Sequence, residues 1–177
     1  MDDQNARGWA LVAVQAVLFL LVVVAALTPP VGPTLWSSLW LGLAVVVLGA
    51  VGVVVSGRDL GRALTPLPIP NGEGLAAKGL YQWVRHPMYS SLVVIALGIA
   101  LATGKAQSCV AVVVLAAFFA VKARVEESYL VDAYDGYREY GRRVGRFVPK
   151  LGRLRTETAA FRPPESGDGD VNVPPEN

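Results

Sequence analysis

The sequence predicts an all-α fold: a polytopic membrane helix bundle of about four transmembrane helices, followed by a cytoplasmic amphipathic C-terminal helix. Three observations carry that expectation. Of 177 residues, 53% are hydrophobic and only 17% charged, against roughly a quarter charged in an ordinary soluble domain. The apolar residues are gathered into four blocks. When those blocks are taken as spans, nearly every basic residue falls on one side. This composition excludes an intrinsically disordered chain and argues against a soluble globular domain.

Trp9 to Leu27 runs nineteen residues with Gln15 as its one amide, and Leu35 to Val55 runs twenty-one without a charge. Each meets the roughly 20 residues a helix needs to cross a ~30 Å hydrocarbon core. Met88 to Thr103 and Ala106 to Val121 are sixteen residues each, and they span with Lys105 and Lys122 snorkelling at their ends. Ala25 and Ala26 resemble a signal-peptide cleavage site, but the apolar run before them is too long for a signal, and Asp2 and Asp3 stand where a basic leader is needed.

Lys and Arg resist translocation, so their distribution sets orientation. Of sixteen, only Lys105 lies between the third and fourth blocks and none between the first and second. Both termini and the long connection from Ser56 to Pro87 are therefore expected in the cytoplasm, at the plasma membrane if the source is bacterial. Trp9, Trp36, Trp40 and Trp83 lie near block ends, where an amphipathic ring suits the interface.

Past the fourth block, Val125, Tyr129, Leu130, Ala133, Tyr134, Tyr137, Tyr140, Val144 and Phe147 recur at helical intervals. This predicts a cytoplasmic helix over about 124–147, lying on the membrane or capping the bundle. Residues 1–155 thus form one membrane domain, and 156–177, rich in Pro, Gly and acids, form a disordered tail.

Two constellations can carry chemistry. Lys78 to Tyr89 reads KGLYQWVRHPMY. Pro87 drives His86 out of the α region and suits the first helical position, so a helix starts there with free amides and the positive end of its dipole beside Arg85 and His86. Such a site suits a carboxylate or phosphate; the plainer reading makes Arg85 a headgroup anchor and Tyr89 part of the aromatic belt. The second constellation is Lys122-Ala123-Arg124-Val125-Glu126-Glu127. Adjacent glutamates point ~100° apart on a helix, so one can pair outward while the other faces a pocket. Lys122 one turn before Glu126 suits a surface ion pair, which leaves Glu127 to face inward; a solvated helix end of mixed charge is the alternative.

Gly57-Arg58-Asp59-Leu60, Leu64-Thr65-Pro66-Leu67-Pro68, GLYQWVRHPMY at 79–89 and EESYLVDAYDGYREYGRRVGRFVP at 126–149 together resemble the isoprenylcysteine carboxyl methyltransferase and phospholipid methyltransferase family of integral membrane enzymes. The chain departs from many members at Leu80, where they carry Pro, and at Ser91, where they carry Gly. The resemblance implies S-adenosylmethionine as cofactor, held between the Arg-His-Pro-x-Tyr element and the glutamate pair. It also implies a lipophilic acceptor arriving from the lipid side: the carboxylate of a prenylated or lipid-like molecule, or a phospholipid amine. The residues expected to hold the cofactor are Tyr81, Arg85, His86, Pro87, Tyr89, Glu126 and Glu127; those expected in catalysis are Glu127, Arg124 and Arg143. Arg143 and Arg146 can orient an acceptor carboxylate or touch anionic headgroups.

The remaining features are plainer. One histidine and one cysteine exclude a disulfide framework and a zinc site of the usual nitrogen and sulfur donors; a metal held by carboxylates stays open, and no metal is expected. Asn71-Gly72-Glu73-Gly74 reads as a turn, Cys109 as a packing residue, and the net charge of +2 gives no reason to expect nucleic acid. Gly42, Gly49, Gly52 and Gly98 suit close helix packing. Two other functions fit parts of the pattern: a nicotinamide-dependent membrane reductase of related architecture, and a non-catalytic membrane protein recruiting partners or lipids through its basic cytoplasmic helix.

Overall fold

A computed structural model describes residues 3–65, 67, 75 and 77–154. Five α-helices are formed: α1 Asp3–Leu27, α2 Leu39–Leu60, α3 Pro87–Thr103, α4 Ala106–Ala133 and α5 Tyr137–Arg143. The tail from 156 and the Asn71–Gly74 turn lie outside the described residues. α1, α2 and α4 are long and apolar enough to cross a membrane. α3 has 17 residues, about 25 Å of helix at 1.5 Å per residue.

The surface identifies the solvent. Val17, Leu20, Leu48, Val110 and Val113 are each more than 60% exposed, whereas half of the core cluster is alanine: Ala25, Ala96 and Ala111, with Val22, Leu115 and Phe119. Large apolar residues outside and small ones at helix contacts are the pattern of a bundle solvated by lipid, and the protein is an integral membrane protein. α2 and α3 meet through their glycines: a Cβ on Gly98 would stand 2.7 Å from the Gly42 carbonyl oxygen, and one on Gly49 would stand 2.8 Å from that of Ser91.

Helix ends follow from local chemistry. α2 begins four residues later than its apolar block because Leu35 gives its amide to Gly104 O (2.6 Å) on the α3–α4 turn and Ser38 to Leu101 O (3.0 Å) in the last turn of α3. Ser38 then caps the helix by accepting from the Leu41 amide. α3 starts at Pro87, as its sequence predicts, and ends at Gly104 with φ 62°.

Neither flanking lysine snorkels. Lys105 Nζ turns back to the Ala26 and Thr28 carbonyls at 2.6 and 2.7 Å, satisfying the C-terminal end of α1. Lys122 is only 2% exposed; it points into the bundle and donates to Gln15 Oε1 of α1 at 2.6 Å.

The expected helix over 124–147 is divided. α4 runs unbroken to Ala133, the chain bends at 134–136, α5 lasts seven residues, and 144–154 folds back without helix. Backbone pairing explains the break: Arg85 and His86 give their amides to Gly145 O (2.8 Å) and Arg146 O (3.0 Å), while Leu154 gives its amide to Gly141 O (2.9 Å). A helix through 145 would use those carbonyls internally.

Candidate active site

The site is built where the start of α3, the C-terminal part of α4 and the returning segment meet. Asp59, at the end of α2, accepts the Leu80 amide at 2.8 Å and fixes the 3₁₀ turn Gly79–Gln82. Tyr140 donates from its hydroxyl to Tyr81 O at 2.6 Å. Val84 bridges in parallel to Gly145, which delivers Arg85 and His86 into the interior.

Glu127 is the hub. It is 4% exposed, and it accepts from Arg85 Nε at 2.8 Å, from Arg146 Nη2 at 2.6 Å and from Arg146 Nε at 3.1 Å. His86 Nε2 lies 3.1 Å from the same carboxylate; since a carboxylate only accepts, the proton of that contact belongs to Nε2. Arg85 is equally committed: its Nη1 donates to the carbonyls of Gly141 (2.9 Å) and Val144 (2.5 Å), and its Nη2 to Gly152 (2.9 Å). The guanidinium therefore clips residues 141–152 onto α4 and has little capacity left for a ligand carboxylate.

Glu126 has the opposite disposition. Its side chain is 28% exposed, it accepts the Tyr89 hydroxyl at 2.7 Å, and its Oε2 is 3.7 Å from His86 Nδ1. Glu126, His86, Tyr89, Tyr81 and Arg85 line a recess of about 60 Å³ whose other wall is formed by the apolar Leu60, Leu64 and Met88 together with Thr65. The pocket-facing glutamate is thus Glu126, and Glu127 is inward but occupied. The Tyr89 ring is flanked by near-parallel rings of His86 (5.3 Å, 2°) and Phe119 (4.7 Å, 14°), so its edge and hydroxyl, not its face, address the recess. Trp83 is 64% exposed and lies outside it.

Burial pushes the phenols of Tyr81 and Tyr140 up, that of Tyr140 to about 12, with Glu126 adding for Tyr81 and Arg85 opposing for Tyr140. Both stay neutral donors near pH 7. Beside the recess, an apolar groove of about 330 Å³ runs between α3 and α4 past Tyr89, Val93, Ala116 and Phe119 and under Phe147. Recess and groove share Tyr89.

Tyr81, Arg85, His86, Pro87, Tyr89, Glu126 and Glu127 are therefore brought together. Arg124 and Arg143 are not: Arg124 lines a separate open cleft, and the Arg143 side chain, 73% exposed, pairs with Glu139 at 3.1 Å. Both stand on turns whose inward positions are taken by Ala123, Glu127 and Gly141. Sequence reasoning placed Arg146 only as an acceptor or headgroup contact and missed Asp59 and the Lys122–Gln15 pair. Arg146 reaches Glu127 only because the helix is broken. Asp59 carried a faint signal in its place at the helix end. A buried lysine carried none, since it reads like any charge terminating a span.

The family model described as phospholipid methyltransferase matches residues 37–136. Among curated proteins, the chain is 29% identical over 131 residues to the cobalt-zinc-cadmium resistance protein CzcN of Cupriavidus metallidurans, covering 72% of this chain and 59% of that protein. It is 32% identical over 114 residues to protein-S-isoprenylcysteine O-methyltransferase of Saccharomyces cerevisiae (62% and 48%). It is 30% identical over 126 residues to protein-S-isoprenylcysteine O-methyltransferase B of Arabidopsis thaliana (66% and 64%). The chain spans about half to two thirds of the length of these relatives.

Proposed function

Because the chain belongs to the phospholipid methyltransferase family, we propose that it transfers a methyl group from S-adenosylmethionine to a lipophilic acceptor at the cytoplasmic face of the membrane. The observation that carries this reading is the meeting of a polar recess and an apolar groove at one residue, Tyr89. A donor and a lipid chain need such a junction to bring their reacting ends together. Orientation is supported by position: the site lies at the end of the bundle opposite the Gly104–Lys105 turn, among the other basic residues.

The donor fits the residues present. Glu126 keeps acceptor capacity beyond its one bond to Tyr89, which suits an amine or ribose hydroxyls, and the Leu60, Leu64 and Met88 wall suits a flat apolar base. Among the described residues the recess is large enough for only part of that molecule. S-adenosylmethionine supplies an electrophilic methyl on a sulfonium. The chain's contribution is alignment and dryness: Tyr89 holds the Glu126 carboxylate, Phe119 and Phe147 keep the junction apolar, and the Arg85–Glu127–Arg146 network holds the returning segment over it. Glu127 thus acts as a positioning residue.

A carboxylate acceptor needs no base. An amine acceptor must lose a proton, and Glu126 or His86 is placed to receive it. The groove's apolar wall suits a prenyl or acyl chain.

Calorimetric titration of S-adenosylmethionine into the detergent-purified chain tests the proposal. Saturable binding is expected, weakened at least about tenfold in Glu126→Gln, since a charge-assisted bond contributes ~1.5–3 kcal/mol. Ala116→Phe should leave donor binding intact and abolish transfer of labelled methyl to lipid extract. Equal binding in wild type, Glu126→Gln and His86→Ala, all folded, overturns the site.

A further inference from the structure

A second polar cavity shares no lining residue with the recess or the groove. The end of α4, α5 and the returning segment enclose an open cleft of about 500 Å³ that presents four arginines, Arg124, Arg138, Arg142 and Arg146. Its acids are Asp132 and Glu127, and Glu127 is already held by Arg85, His86 and Arg146. Among the described residues, Arg124 and Arg142 have no hydrogen bond or ion pair. Arg146 spends Nε and Nη2 on Glu127, leaving Nη1 unused.

Gathering guanidinium groups around one cleft with so little counter-charge is repulsive, and an anion with several acceptor oxygens relieves it. The planar fork of arginine matches phosphate in particular. Depth selects the source. Val121 is the last residue of the apolar run of α4, and Arg124 follows three residues, about 4.5 Å, later. The returning segment, whose Arg146 and Leu154 line the cleft, also carries Val148 and Leu151, 51% and 64% exposed, apolar side chains suited to the acyl boundary. The cleft therefore opens at headgroup level.

We propose that this cleft is a binding site for the phosphate of an anionic phospholipid of the cytoplasmic leaflet. The bound phosphate links α4 through Arg124 to α5 and the returning segment through Arg142 and Arg146. In this way the lipid braces from outside the segment that Arg85 clips from inside. The site does not depend on the identity of the methyl donor or acceptor.

The test uses the full chain in nanodiscs of phosphatidylcholine containing a minor fraction of phosphatidylglycerol, with lipid retained on the protein read by native mass spectrometry. Wild type should retain phosphatidylglycerol over phosphatidylcholine, less so as salt rises. The Arg124→Gln/Arg142→Gln double variant should lose at least tenfold of that preference, and Arg124→Lys/Arg142→Lys should recover part of it. Arg58→Gln, an exposed charge at the end of α2 outside the cleft, should leave it unchanged. Undiminished preference in the glutamine double variant, or equal loss in Arg58→Gln, overturns the site. Displacement of the lipid by inorganic phosphate at equal concentration overturns the lipid as its source. Donor binding by the wild type is measured separately, so neither proposal falls with the other.

Discussion

Replacing Arg85 by lysine separates two roles for a guanidinium in the most distinctive motif of the chain. Its side chain is 0% exposed and 2.8 Å from Glu127, and it also supplies three carbonyls, those of Gly141, Val144 and Gly152. A lysine ammonium presents three donors from a single point and cannot span partners arranged around a planar fork. Glu127 keeps Arg146 and His86, and Gly141 O keeps the Leu154 amide, so the Val144 and Gly152 carbonyls are the acceptors left without a donor. Gly152 is exposed and can turn to water, whereas Val144 is buried; a buried group left unsatisfied costs about 1–3 kcal/mol, so Arg85→Lys should destabilise by about 1–3 kcal/mol. The loss is local: segment 141–154 loses its clip while the spans keep theirs. Hydrogen exchange is the direct assay, read at the amides of Arg146 and Leu154, which bond within this segment to Leu151 O and Gly141 O. Exchange there should accelerate about 30-fold, the factor that ~2 kcal/mol, the middle of that range, implies, with little change in α2. If exchange is unchanged while S-adenosylmethionine binding disappears, Arg85 is a ligand group and the clip reasoning is wrong.

Other perturbations follow from the same contacts. Gly98→Leu should separate α2 from α3, because even a Cβ there meets the Gly42 oxygen at 2.7 Å; overpacking of this kind costs ~1–3 kcal/mol or more, visible as a lower midpoint of unfolding in detergent. Lys122→Met strands the Gln15 amide at the α1–α4 contact and should cost ~1–3 kcal/mol, whereas adding Gln15→Leu should restore part of the loss, a non-additivity that a double-mutant cycle measures. The phenol of Tyr140 is raised from 10.0 to about 12, so its contribution to stability is complete below pH 10 and lost as pH rises towards 12. Tyr140→Phe should therefore unfold less steeply over that interval than wild type, and an identical slope would refute the burial of that hydroxyl.

The amphipathic helix expected over 124–147 shows where periodicity misleads. Tyr137, Tyr140, Val144 and Phe147 do repeat at helical spacing, yet the chain leaves the helix after Arg143. Helical bonds are local and each contributes modestly, whereas the alternative satisfies Arg85, His86 and Glu127 together. Periodicity along one segment contains no information about unmet donors sixty residues away. The two glutamates are a similar case. Spacing shows that they diverge by ~100°, and an apparent partner at Lys122 assigns Glu126 outward. Lys122 instead bonds Gln15, and Glu126 takes the Tyr89 hydroxyl and the recess.

By itself the sequence determined what depends on local composition and chain direction: apolar blocks long enough for a bilayer, a helix beginning at Pro87, and a histidine, a tyrosine and two glutamates carried to one end of the bundle. Those properties follow from hydrophobic length, proline geometry and the restriction of charge to one side, each decided within a few residues. Only the tertiary structure decided which polar group meets which. Glu127 is locked between two arginines, Glu126 is open, Lys122 is buried, and Arg124 and Arg143 stand apart from the recess. The pairing of long side chains is set by the relative rotation and depth of packed helices and by one returning segment, none of which is encoded at any single position.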